Sequence, residues 1–282
     1  MIKQCQQNPS NLMAKGLLVV ILSSLVLLSA CARTLERRLV FTGAYGRRTL
    51  SQTPADYGVS FETVWLEAED SVRLHAWRLD SAASPYWLIY FHGQGETVAR
   101  YLPLTTKLHG LGYNVLSPEY RGYGLSEGRP SEAGLYRDAR AAYRYLLAEG
   151  VQPQRVILYG YSLGTGVAVD LASQVEVGAL ILEAPYTTLG AVANAVYRVP
   201  PTLLQNRFDS ASKIARASAP TVFIHARDDK LIAPEQARVL HTLVRGPSLF
   251  LEIRGGHAGM LEHAQAETLA RLKAFLDRVL SP

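Results

Sequence analysis

The feature that most narrows the folds open to this chain is a junction in its middle. An apolar run of strand character, Val156 to Tyr159, passes through Gly160-Tyr161-Ser162-Leu163-Gly164 into a helical stretch, Leu163 to Ala172. A strand that turns at once into a helix is a βα unit, and such units assemble side by side into a parallel sheet covered by helices. The two glycines suit a turn so sharp that the Ser162 hydroxyl is left exposed. Side chains two residues either side of it would collide with the neighbouring strand and helix.

The surrounding sequence repeats the same unit. Short apolar segments at Trp87 to Phe91, Asn114 to Ser117, Val156 to Tyr159, Ala179 to Leu182, Thr221 to His225 and Leu249 to Ile253 are separated by helix-length stretches. Tyr136 to Leu147 and Gln265 to Leu280 have amphipathic spacing, and the second would close the domain. Before them, Phe61 to Leu66 and Val72 to Trp77 read as an antiparallel pair turning at Glu69-Asp70-Ser71. The sequence therefore predicts an α/β domain over residues 57–282 with a mostly parallel central sheet. The longest connection, about residues 186–219, carries Pro200-Pro201 and the apolar Val196, Val199, Leu203 and Leu204, and is read as a short cap over the site.

The first 30 residues stand apart. A polar stretch with Lys3 and Lys15 leads into the apolar run Leu17 to Ala30, the layout of a secretory signal. A helix over that run would rise about 21 Å, short of the roughly 30 Å hydrocarbon core, which disfavours a permanent span. The run ends in Leu28-Ser29-Ala30-Cys31, which resembles the lipobox of bacterial lipoproteins, where cysteine becomes the lipidated first residue of the mature chain. That resemblance implies a lipid anchor on Cys31 and a place in the bacterial cell envelope, facing the periplasm, and residues 31–56, which mix arginines, small residues and a proline without clear periodicity, read as a tether. Cleavage would remove Cys5 and acylate Cys31, the only two cysteines, so no internal disulfide would remain. It would also remove two lysines from 29 basic residues against 24 acidic ones, leaving +3, too mild a charge to mark a nucleic-acid partner. Arg33, Arg37, Arg38, Arg47 and Arg48 follow the anchor position with only Glu36 against them, a composition that suits anionic headgroups or plain solvation.

A serine hydroxyl becomes a useful nucleophile when a neighbouring base takes its proton, and histidine is the usual base. Of seven histidines, His257 stands out because it follows the last strand in Arg254-Gly255-Gly256-His257-Ala258-Gly259, at the edge where open α/β sheets place their ligands. His263 is the alternative, six residues on beside Glu262. His75, His109 and His241 lie in strand or helix patterns, and His225 ends a strand, where it could line the site although packing is the simpler role. The acid that fixes the imidazole tautomer falls just after Thr221 to His225, at Asp229 or its neighbour Asp228. Oxyanion donors are expected from the residue after the nucleophile, the Leu163 N–H, and from the loop after an early strand, His92-Gly93-Gln94-Gly95-Glu96, where the Gln94 N–H is the candidate. His92 is read as shaping that loop.

Together these segments resemble the α/β-hydrolase superfamily, and within it the short-cap group containing serine aminopeptidase-like proteins and protein depalmitoylases. The likeness rests on Tyr90-Phe91-His92-Gly93, Tyr120-Arg121-Gly122-Tyr123-Gly124-Leu125-Ser126-Glu127-Gly128, the Ser162 turn, Glu183-Ala184-Pro185-Tyr186-Thr187-Thr188 and Gly256-His257. It implies the order Ser162, Asp229, His257 for the catalytic residues, with Asp229 preferred because Asp229-Lys230-Leu231-Ile232-Ala233-Pro234 follows the family's pattern apart from Ala233. It places Arg121 among structural residues that tie loops. It implies an acyl-enzyme route through ester or thioester bonds, without metal or organic cofactor, on small-molecule or acylated substrates. Peptide hydrolysis and a non-catalytic envelope binding protein on the same fold are the competing expectations.

Overall fold

The computed structural model describes residues 34–45, 50–82, 84–95 and 97–280. The expected signal segment and Cys31 lie outside these residues. The chain divides into two units, residues 1–40 and residues 41–282, and residues 34–40 of the first are helical.

The second unit is built on one eight-stranded sheet: β1 (Glu62–Glu67), β2 (Arg73–Leu79), β3 (Trp87–Phe91), β4 (Asn114–Pro118), β5 (Val156–Tyr161), β6 (Ala179–Glu183), β7 (Thr221–Ala226) and β8 (Ser248–Ile253), in the order β1-β2-β4-β3-β5-β6-β7-β8. β1 pairs antiparallel with β2, and β2 antiparallel with β4, while every pairing from β4 through β8 is parallel. Every residue of β3 to β7 is buried, so these strands read as largely apolar runs, with polar residues such as Asn114, Ser117, Glu183, Thr221 and His225 at or near their ends. The edge strands β1 and β8 are largely half-exposed or exposed, as one-sided strands must be.

Several strands run a residue or two beyond their apolar cores. β5 continues through Gly160 and Tyr161, and β6 through Glu183. Hydrogen bonding to neighbours on both sides carries the extended backbone past the point where hydrophobicity stops marking it. The helices Leu102–Gly110, Glu132–Ala148, Leu163–Ala172, Pro234–Leu243 and Ala266–Leu280 connect or follow the parallel strands. The connection from β6 to β7 holds the helix Leu189–Tyr197 and short 3-10 turns, and it exposes Tyr197 and Leu203.

The chain leaves β3 for β4 on one side and returns to β5 on the other, so β3 and β5 lie together at a topological switch point, where open α/β sheets form their crevice. Register fixes what meets there. Phe91 pairs with Gly160, Tyr161 with Glu183, and Ala226 with Ile253, so the loops after β3, β5, β7 and β8 all leave one edge of the sheet. Behind them, Arg121 donates from Nε to Asp138 at 2.8 Å and from both terminal nitrogens to Asp70 at 2.7 and 2.9 Å, tying the β1–β2 turn to the helix Glu132–Ala148.

The compact unit takes in residues that the sequence reading assigned to the tether. Phe41 is buried, and Pro54–Tyr57 forms a 3-10 turn with Pro54 buried, so the tether reading stops short of Phe41.

Candidate active site

Ser162 sits between β5 and its helix with φ 49° and ψ −116°, a left-handed conformation that L-residues avoid. Such strain costs on the order of 1–3 kcal/mol and persists only where neighbours over-determine it. Here the Ser162 N–H donates to the Glu183 carbonyl at 2.9 Å, and the Ser162 carbonyl accepts from the Thr165 N–H at 2.9 Å and its hydroxyl at 2.7 Å. A Cβ on Gly160 would lie 2.5 Å from the Gly164 carbonyl oxygen, which is the steric demand read from the sequence.

The three separate loops converge. His257 Nε2 lies 3.0 Å from Ser162 Oγ, and His257 Nδ1 lies 2.8 Å from Asp229 Oδ2. An ionised carboxylate only accepts, so Nδ1 carries the proton and Nε2 offers its lone pair to the serine hydroxyl. Asp229 is buried and its Oδ1 accepts from the backbone N–H groups of Leu231 at 2.8 Å and Ile232 at 3.0 Å. Burial pushes the Asp229 carboxyl up, but hydrogen bonds from His225 and His257, the charge of His257 and the Ile232 N–H outweigh it and hold the group well below the usual carboxylate range. Asp228 is exposed, and His263, near Glu262 at 3.7 Å, is exposed as well.

Leu163 is the first residue of its helix, where a backbone N–H has no partner within the helix. Gln94 lies in the loop directly after β3. The two backbones are pressed together, for a Cβ on Gly164 would fall 2.0 Å from the Phe91 carbonyl oxygen and 2.8 Å from that of His92. His92 is fully buried; its Nδ1–H donates to the Gly93 carbonyl at 2.8 Å, and Nε2 is 3.1 Å from Glu119 Oε1, consistent with a loop-shaping role.

Two further buried residues border the site: His225, which the sequence offered as a strand-end packing residue, and Glu183, whose role the sequence did not mark. His225 is fully buried; its Nε2–H donates to the Ile232 carbonyl at 2.9 Å and lies 3.4 Å from Asp229 Oδ2, so it braces the acid's loop. Glu183 is nearly fully buried at the end of β6, where its carboxylate accepts from the Tyr159 hydroxyl and from the Leu261 N–H at 2.9 Å. Tyr161 adds a second hold on the same loop by donating to the His257 carbonyl at 3.1 Å. Burial pushes the Glu183 carboxyl up despite these donors. A carboxylate closing an otherwise apolar strand was the available signal, since such a group is rarely buried unless partnered. Glu183→Ala would leave both donors without an acceptor, at roughly 1–3 kcal/mol each. Denaturant unfolding is expected to report that loss, with Glu183→Gln, which keeps one acceptor, between it and wild type.

The same segments match known proteins. Residues 85–212 match the family model described as serine aminopeptidase, S33. Rv2307c of Mycobacterium tuberculosis H37Rv is 34% identical over 229 residues, covering 79% of this chain and 80% of that protein. The alpha/beta hydrolase domain-containing protein 17C of Xenopus laevis is 33% identical over 229 residues, covering 75% of this chain and 71% of its own length. Among solved structures, the Pyrococcus furiosus esterase Pf2001 superposes with a TM-score of 0.71 at 22% identity, over 84% of this chain and 99% of that one. An alpha-beta hydrolase from Vibrio vulnificus does so with a TM-score of 0.69 at 20% identity, over 85% and 91%.

Proposed function

Given that the chain belongs to the α/β-hydrolase superfamily, we propose that it is a serine hydrolase that cleaves carboxylic ester or thioester bonds at a membrane surface. The observation that carries this reading is the unbroken line of contacts from Ser162 Oγ through His257 to Asp229, at 3.0 and 2.8 Å. In the reaction His257 Nε2 takes the Ser162 proton as Oγ bonds to the acyl carbon. The N–H groups of Leu163 and Gln94 receive the oxyanion. His257 then protonates the leaving oxygen or sulfur as its bond to carbon breaks. Water, deprotonated by the same imidazole, releases the acid and restores Ser162. Asp229 keeps the imidazole in the productive tautomer and stabilises the imidazolium.

The matched family's description favours one other reading, removal of an amino-terminal residue. That chemistry needs a free carboxylate to grip the substrate's ammonium group. The carboxylates in and behind the His257 loop are already engaged: Asp229 by His257, Glu183 by Tyr159 and Leu261, and Glu262 by Arg100 at 3.5 Å. Ester or thioester cleavage needs no such group and is preferred. The proposed site of work, the bacterial envelope through lipid on Cys31, follows from the sequence around that residue.

A fluorophosphonate probe applied to membrane and soluble fractions tests both parts. Wild type is expected to label in the membrane fraction, Ser162→Ala to lose labelling, and Cys31→Ser to label in the soluble fraction. Unlabelled wild type, or a labelled Ser162→Ala, would remove the serine mechanism; Cys31→Ser held wholly in the membrane would remove the anchor.

A further inference from the structure

The loop that offers Gln94 is flanked by Gly93 and Gly95, residues with little conformational preference of their own. A backbone N–H that must point at a developing oxyanion therefore needs its two adjoining peptide planes fixed from outside. One is held from within the loop: the carbonyl of the Gly93–Gln94 peptide, whose N–H is the proposed donor, accepts from His92 Nδ1 at 2.8 Å.

The other plane is held from far away in sequence. The Gln94 carbonyl accepts from the Gly43 N–H at 2.9 Å, the Thr42 hydroxyl at 3.3 Å and the Tyr123 hydroxyl at 3.1 Å. Thr42 and Gly43 belong to the 3-10 turn Thr42–Tyr45, which is joined to Phe41 by the Ala44 N–H donating to the Phe41 carbonyl at 3.1 Å. Phe41 is fully buried and meets Phe208 edge-on at 6.3 Å, and Phe208, also fully buried, lies in the connection between β6 and β7. One short turn thus grips the loop after β3 and the inserted connection at once.

We propose that the turn Thr42–Tyr45 is a positioning element of the oxyanion loop, so that a segment outside the central sheet sets the hydrolytic rate. The inference rests on the serine-hydrolase reading and on Gln94 as an oxyanion donor. Thr42 and Gly43 touch no reacting atom; they act through the Gln94 peptide.

The test uses the full chain. Gly43→Pro removes the N–H, and Thr42→Val removes the hydroxyl at nearly constant shape. Loss of a whole oxyanion donor costs about a hundred to a thousandfold, so misaligning one is expected to lower kcat by about tenfold in Gly43→Pro and by a few-fold in Thr42→Val. KM for an acyl ester should stay within about twofold, because the ground-state carbonyl gains little from the oxyanion donors. Affinity for a trifluoromethyl ketone, which forms a tetrahedral adduct with serine, should fall in step with kcat, and Thr42→Ser should restore both. A turn that merely packs would lower the melting temperature and leave kcat and ketone affinity per folded molecule unchanged, which would overturn the proposal. If Gly43→Pro fails to fold, the Thr42 pair decides. Wild type that neither hydrolyses esters nor labels with fluorophosphonate would instead remove the serine-hydrolase reading, and the positioning role with it.

Discussion

Asp229→Asn is expected to lower kcat by about four orders of magnitude, whereas Asp228→Asn next to it should leave kcat within about twofold. The contrast comes from how the carboxylate is held. Its Oδ1 accepts from two backbone donors, Leu231 and Ile232, which require an acceptor at that position. An asparagine must therefore keep its carbonyl there and turn its NH2 toward His257. The imidazole then has to accept at Nδ1, which moves its proton to Nε2, where it faces the Ser162 hydroxyl and can no longer take a proton from it. Folding should change little, because the amide preserves shape and the backbone bonds, and that separates lost chemistry from lost structure. Asp228 is exposed and enters none of these contacts. Steady-state kinetics with an acyl ester, with melting temperatures alongside, decides the matter; equal losses at the two positions would mean that Asp229 is not the acid.

The acid's identity also shows where sequence reasoning thins out. Both aspartates follow β7, and spacing to the strand does not separate them; the choice came from a family pattern. What separates them physically is the local turn, in which the Asp229 N–H returns to the Ala226 carbonyl at 3.3 Å and buries one carboxylate while its neighbour faces water. The parallel strands were legible because burial on both faces leaves mostly apolar residues, and β3, which is apolar throughout, coincides with its expected bounds at Trp87 and Phe91. Strand ends were less so. At Glu183 the polar residue that ends the hydrophobic signal is still hydrogen-bonded in the sheet, and it braces the His257 loop through Leu261. The turn at Phe41 was illegible for a different reason. Its bonds to Gln94 span more than fifty residues, and a lone buried phenylalanine leaves no periodic trace.

The second large effect is expected from a single methyl group. Gly164→Ala would place a Cβ 2.0 Å from the Phe91 carbonyl oxygen, 2.6 Å from its carbon and 2.8 Å from the His92 carbonyl oxygen. All three are backbone atoms, so no side chain can swing aside, and relief requires the helix to move away from β3. Overpacking that side-chain shifts can absorb costs about 1–3 kcal/mol. A clash with the backbone of two buried elements should exceed that, lowering the melting temperature by more than roughly 10 °C in a domain of this size. Gly110→Ala is the matched control, since a Cβ there meets nothing within 4 Å and should leave stability unchanged or slightly raised. The helix that would have to move carries the Leu163 N–H, and the strand it would leave carries the loop of Gln94. Any Gly164→Ala protein that still folds is therefore expected to have its two oxyanion donors drawn apart, and to lose kcat by about a hundredfold or more beyond its loss of folded molecules. Thermal melts paired with active-site titration by fluorophosphonate separate the two losses. A well-folded Gly164→Ala with wild-type kcat would mean that the close approach of helix and β3 loop is not what assembles the oxyanion site.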